Sequence, residues 1–315
     1  MVKKHLPGIL DLVDKQAQKL RHIHFGNRDQ NIYDVGKIFI HQLKKDEIDD
    51  RAYAVAFNFT VAMFPLLLFL LNTLPFIEFL FPEVTTDNIL LFIKEVMPPS
   101  LYSGTEATIL DIISRPRQGL LSFGFLLALY LATNGTVSLI NAFNACYRTK
   151  DTRGFLETRA FAVLINFVLI LDICAAVLVM ILGSKALLLL TEYGVVSNNF
   201  LYFLVALLRF FALLFLFMMA TSFIFRFAPA VHDKWRFFST GSVTAGLLIT
   251  IAFYLFSYYL NNFASYNKLY GSIGTMIALM FWLLITSFII LICFEINVSL
   301  DKAAERKNVS KFINR

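Results

Sequence analysis

The sequence predicts an all-α, polytopic membrane protein with six transmembrane helices, an interfacial helix near the N-terminus and a helical loop on the outer side. Three observations predict it. Of 315 residues, 58% are hydrophobic and only 16% are charged, whereas soluble domains carry about a quarter charged. Several runs of 18 or more residues hold one charge or none, enough to cross a bilayer core of roughly 30 Å at a helical rise of ~1.5 Å per residue. These runs also lack the polar face of a helix lying on a soluble core. The 34 phenylalanines and a mean hydropathy of +0.67 agree.

Residues 1–50 read as a basic, hydrophilic, mostly helical cytoplasmic segment. With no cleavable signal ahead of it, the first span must act as its own insertion signal. Ile32, Val35, Phe39 and Leu43 recur at helical spacing, interleaved with Lys37, Lys44 and Lys45. That pattern suits a helix in the membrane interface, and equally one packed on the protein's own cytoplasmic face. His22 and His24 form a pair without further ligands nearby, which argues against a metal site.

The transmembrane domain is expected over 51–300, with spans at 52–74, 119–143, 160–186, 199–225, 239–260 and 270–297, and a tail at 301–315. Span one carries Asn58 and Thr60, and Pro65 should kink it. A loop of some forty residues, Phe76–Arg117, follows. Thr86 and Asp87 could cap one short helix there, and Glu106–Ser114 a second, forming a lid on the outer face. In span two Asn134, Ser138 and Asn141 fall at i, i+4 and i+7 on one face. They either hydrogen-bond between helices or line a wet cavity.

Spans three and four form a hairpin about the turn at Glu192, Tyr193 and Gly194. Each holds one charge, Asp172 and Arg209. Counting at ~1.5 Å per residue places them roughly 20 and 15 Å below the outer ends of their helices, near the midplane. An isolated charge there costs ~2.5–3.5 kcal/mol on insertion scales, so the economical expectation is a facing pair. Gly271 and Gly274 allow close backbone approach at the start of span six, and Glu295 and Asn297 lie at its inner end.

Six spans put both termini on one side. In this topology 22 of the 28 Lys and Arg fall on that side and 5 on the other, Arg209 being the remaining one. The asymmetry predicts cytoplasmic termini. The charge of +6 is then topological and faces anionic lipid; it does not call for nucleic acid. Cys146, Cys174 and Cys293 have no metal or redox spacing and read as reduced, small apolar residues. The five histidines are scattered on polar flanks, so no metal or cofactor is expected. No phosphate-binding loop is present.

These motifs carry a resemblance. The stretch AVAFNFTVAMFPLL from Ala54, with its Pro65, is similar to the first-span pattern of the YihY/BrkB family of bacterial inner-membrane proteins, once labelled ribonuclease BN. Phe57, Asn58 and Ala62 stand where the family has tyrosines and a serine, so no hydroxyl role is carried over there. Asn144, Tyr147 and Arg159 match after span two; Arg226, Pro229, Trp235, Arg236 and Gly241 match after span four. The aromatic turn from Phe263 into Tyr270, Gly271 and Gly274 matches the strongest signature, followed by Trp282, Glu295 and Asn297. The resemblance implies six transmembrane helices in the bacterial inner membrane and no established reaction. The ribonuclease label counts as a misassignment.

The expected function is therefore non-enzymatic. One reading is transporter-like handling of an anionic or lipid substrate through a polar intramembrane cavity lined by Arg209, Asp172, Asn134, Ser138, Asn141 and Asn58. The other is a non-catalytic envelope scaffold or assembly factor. Membrane lipids and an envelope protein are the expected partners. An enzyme acting on RNA or lipid would need a reactive cluster, and Glu295 near Arg226 or Arg236 reads instead as a salt bridge anchoring span six.

Overall fold

The structure is a computed structural model, and it describes residues 32–45, 47–80, 118–192, 198–230, 235–262 and 265–313. Seven helices are described: α1 (Ile32–Lys45), α2 (Ile48–Leu80), α3 (Gln118–Tyr147), α4 (Phe155–Glu192), α5 (Asn198–Phe227), α6 (Thr240–Asn262) and α7 (Ser265–Ile313). No strand occurs among the described residues. Each expected span coincides with one of the six long helices, the fifth starting one residue before α6. Among the described residues, four stretches are long and apolar enough to cross a membrane: Leu126–Tyr147, Phe203–Phe227, Thr240–Tyr259 and Met276–Glu305.

The six long helices close into a ring. Each packs on the next in sequence, and α7 returns to α2. Close approach is built from small residues. A Cβ on Gly135 would meet the Phe59 ring at 2.6 Å, and one on Gly246 would meet Met218 Cα at 2.7 Å, so glycine sets the α2–α3 and α5–α6 spacings. Two hydroxyl contacts stitch α5 to α6: Ser222 Oγ lies 2.9 Å from Ser242 Oγ, and Thr221 donates to the Ser242 carbonyl at 2.9 Å.

α1 packs on α7, burying Val35, Ile38 and Gln42 and leaving Ile40 exposed. Of the two placements open to this helix, packing on the protein's own face is the one seen. The tail expected at 301–315 is helical as far as Ile313: α7 continues unbroken from the last span, 49 residues and about 70 Å in all. Val298, Ser299 and Leu300 are buried, because α1 covers that end of the helix. α2 likewise continues past Leu74 to Leu80. α3 ends in a Schellman motif, with Thr149 N–H donating to the Asn144 carbonyl and Arg148 N–H to the Ala145 carbonyl. Arg148 takes the left-handed φ of 57° that this cap needs. The N-terminal segment with His22 and His24, the outer loop with its two short helices, and the Tyr193–Gly194 turn lie outside the described residues.

Candidate functional site

The buried core gathers at the end of the ring covered by α1. Phe143 of α3, Phe225 of α5 and Phe294 of α7 are each 0–1% exposed. Phe143 stacks on Phe294 with centroids 4.0 Å apart, and Phe225 meets both edge-on at 5.6 and 5.3 Å. Three helices thus bring one buried aromatic ring each into a single cluster, here termed the plug. Offset and edge-on aromatic packing adds about 0.5–1.5 kcal/mol per pair beyond area burial.

Below the plug lies a hydrogen-bonded clasp. Asn144 donates to Asp151 Oδ2 at 3.0 Å and accepts from Ala230 N–H at 2.8 Å. Arg153 forms the ion pair with Asp151 at 2.7 Å and reaches the Ala228 carbonyl at 3.1 Å. The segment around buried Pro229 is therefore held from both flanks, and the α3–α4 loop is tied to the end of α5. Those Arg153 hydrogen bonds hold the Asp151 carboxyl below its ordinary value. A second tie centres on Asp301 Oδ2, which accepts from Trp235 Nε1 at 2.6 Å and Tyr147 Oη at 2.9 Å. Arg226 donates to the Trp235 carbonyl at 2.6 Å. In a third, Asn297 accepts from Gly241 N–H and donates to Ser239 Oγ, both at 2.7 Å. Lys302 bonds Gln42 of α1 and the Cys146 carbonyl.

Away from this end α5, α6 and α7 touch through aromatic rings, Phe210 with Tyr254, Phe217 with Phe253, and Trp282 with Phe253 and Phe256, but burial falls away. No described residue of α5 from 203 to 220 is buried, nor of α6 from 251 to 259, nor of α7 from 276 to 286. The inward line of α5 shows why this matters. Leu207 lies 18 residues, about five whole turns, from Phe225 and so on the same face. Phe225 is 1% exposed, Leu207 40% and Phe203 60%. One face of one helix passes from a packed core to apolar side chains that no other part of the protein covers.

Comparison with known proteins fits this architecture. The family described as "Virulence factor BrkB" matches residues 39–312. The chain belongs to the BrkB family. BrkB-type relatives include YfkH of Bacillus subtilis (strain 168), whose name calls it ribonuclease-like. It is 28% identical over 256 residues, covering 81% of this chain and 91% of YfkH. A UPF0761 membrane protein of Idiomarina loihiensis is 33% identical over 87 residues, 26% of this chain and 31% of that one. A UPF0761 membrane protein of Tolumonas auensis is 27% identical over 79 residues, 25% and 26% of the two chains. No solved structure matches.

Four of the residues that carry the resemblance lie at the plug and clasp. Asn144, Pro229, Glu295 and Asn297 are all buried there. Pro65 is buried within α2 and Gly274 within α7. The surroundings of Tyr270 and Gly271 lie outside what is described. Glu295 is a correction. It packs against the Cys146 thiol, to which Arg51 also donates at 3.5 Å. Arg226 turns instead to the Trp235 carbonyl, and Arg236 is exposed. Cys146 and Cys293 are buried free thiols, as expected.

The six residues expected to line a cavity do not converge. Asn58 donates to Ser138 Oγ at 2.7 Å and to the Ala54 carbonyl at 2.9 Å, so this pair is an α2–α3 tie. Asn141 is exposed and Asn134 half-buried; both lie roughly 140–160° from buried Leu139 on the wheel, on the outer face of α3. Thr136 instead meets Asn166 of α4. The expected Asp172–Arg209 pair is not made: Asp172 Oδ2 is buried without a hydrogen-bond partner and Arg209 is exposed. Helical register gives the reason. Asp172 continues the inward line of Ala162, Ile165 and Leu169, whereas Arg209 lies about 160° from Phe225 on α5 and is exposed. The clasp residues Asp151, Arg153, Asp301 and Lys302 went unmarked. The available signal was Val298 and Leu300 continuing the apolar pattern beyond the span into the supposed tail.

Proposed function

We propose that this BrkB-family protein is a six-span inner-membrane carrier whose ring of helices opens at its far end into an apolar vestibule that receives an amphipathic, lipid-like substrate. In this reading both termini are cytoplasmic, the vestibule opens toward the periplasm, and the aromatic plug with its clasp is the cytoplasmic gate. The lysine and arginine asymmetry supports the orientation, 22 residues on the gate side against 5 on the other. Each of the six long helices holds one apolar run of spanning length, which supports the span count.

The observation that carries the reading is Leu207, open to a depth five turns along the face that Phe225 buries. In this reading the far end is left unpacked to receive the substrate, whereas a scaffold would fill it, since empty apolar space costs its lining the contacts it could have made. The walls are apolar with little hydrogen-bonding capacity, which suits acyl chains over sugars or nucleotides. The ribonuclease-like name of YfkH is not carried over: His41, the histidine among the described residues, is exposed, and no group of three or more His, Cys, Asp or Glu gathers among them.

The test is photocapture. A phospholipid carrying a diazirine on its acyl chain is offered to protein in native-composition vesicles, and the cross-linked peptides are mapped. Capture at inward positions such as Leu207 and Phe203, with competition by unlabelled lipid, is expected. Capture confined to outward positions such as Phe57 and Phe281 contradicts the carrier reading and favours a scaffold, whose clasp would then serve only rigidity.

A further inference from the structure

We infer that a phospholipid of the leaflet beside the gate is held between α2 and α7, with one acyl chain lying in an apolar groove. This goes beyond the carrier reading and does not need the vestibule. The groove has a volume of about 300 Å³. α2 lines it with Tyr53, Ala56, Phe57 and Thr60, at i, i+3, i+4 and i+7. α7 faces it with a stripe of the same spacing that begins at Ile277 and ends at Leu284. One stripe from each helix makes a trough that follows both axes for about 10 Å. Its floor is buried and small at Ala56 and Thr60, while Tyr53, Phe57 and Phe281 stand exposed along its rim.

Depth and chemistry name the occupant. Residues 52–75 of α2 and 276–294 of α7 hold no charge, so the groove opens onto hydrocarbon. The hydroxyl on its floor is already engaged, Thr60 Oγ1 donating to the Ala56 carbonyl at 2.7 Å. The floor therefore asks for no polar group. Spread over about 10 Å, the volume leaves a section of about 30 Å², room for one hydrocarbon chain. A helix 10–12 Å across needs roughly 80 Å² or more. Lipid tails are as apolar as the protein surface, so burial alone does not hold a chain there. Contact does: the groove touches a chain from its floor and both walls, a plain helix face from one side, and dispersion grows with the number of contacts. Tyr53 sets the direction. Its ring packs edge-on against Phe288 with centroids 5.8 Å apart, and Asp49, Asp50 and Arg51 lie within the turn before it. An aromatic ring with a polar tip at that level belongs among head groups. The chain runs from there toward Thr60 and Ile277.

The experiment places the full-length protein in vesicles of phosphatidylethanolamine and phosphatidylglycerol, with a trace of phosphatidylethanolamine carrying a diazirine on one acyl chain. Labelled peptides are mapped after illumination, and native mass spectrometry counts the lipid retained in detergent. Wild type is expected to retain one phospholipid and to label at Phe57 and Phe281 about tenfold or more above Phe215 and Leu255, which are equally exposed on α5 and α6. A56F fills the floor and should bring labelling at Phe281 down to the level of those two. F57A removes an exposed rim ring and should lower labelling at Phe281 severalfold; if A56F does not accumulate, F57A decides. Labelling at Phe57 and Phe281 no stronger than at Phe215 and Leu255, or unchanged in the variants, means bulk lipid only and overturns the inference. A doubled mass without retained lipid means that a second copy covers the groove and overturns it too. Groove labelling without capture at Leu207 sinks the carrier reading alone, and the reverse sinks this inference alone.

Discussion

Gly241→Ala is the sharpest perturbation of the gate. A Cβ at Gly241 would stand 2.2 Å from the Cys293 carbonyl oxygen and 2.8 Å from Asn297 Cγ. The first contact is backbone, so no rotamer change relieves it. α6 must move from α7 by about 1 Å to restore ordinary separation, and the Gly241 N–H bond to Asn297 stretches with it. Overpacking of this kind costs about 1–3 kcal/mol, and the lost hydrogen bond about 1 more. A loss on the order of 2–4 kcal/mol corresponds to a fall in Tm of roughly 5–10 °C for a domain of this size. The assay is thermal stability of the detergent-solubilised protein, followed by size-exclusion fluorescence. Gly154→Ala supplies the control, since nothing lies within 4 Å of its Cβ position. If both variants melt with wild type, α6 and α7 are not in the described contact and the gate is wrong.

Two further predictions concern the clasp. Asn144→Ala removes the acceptor of the Ala230 N–H and a donor to Asp151, and leaving buried polar groups unmatched should cost about 1–3 kcal/mol in the same melting assay. The carboxyl of Asp151 is held below its ordinary value chiefly by hydrogen bonds from Arg153. A depressed folded value means that its contribution is complete above the unfolded value near ~3.9 and is lost as pH falls below that. Asp151→Asn should therefore lower stability at neutral pH and flatten its loss under acid, measured as Tm against pH. An acid limb as steep in the variant as in wild type would contradict the assignment.

The long helices were legible because apolar run length reports a bilayer directly, with no tertiary knowledge needed. Register within the ring was not. Asp172 and Arg209 were matched by depth along their helices, which sequence conveys. Pairing also requires facing directions, and these depend on how α4 and α5 rotate against their neighbours. Asn58 and Ser138 show the same gap: both are polar residues in spans, yet whether they face a cavity or each other is settled by packing of Phe59 onto Gly135. The clasp was hidden because its parts are far apart in the chain. Asn144, Pro229 and Asn297 were each marked by resemblance, whereas Asp151, Arg153 and Asp301 lay in short polar segments that look like ordinary loop and tail.

The contrast between Leu207 and Phe225 bears most directly on the account. Each is replaced by cysteine in turn, in a background with Cys146, Cys174 and Cys293 removed, and labelling by a membrane-impermeant maleimide is timed in intact cells. Rapid labelling of L207C, with F225C inert until the protein is denatured, is the predicted result. Equal protection of both positions would mean that lipid or packed protein fills the interior and that no vestibule exists.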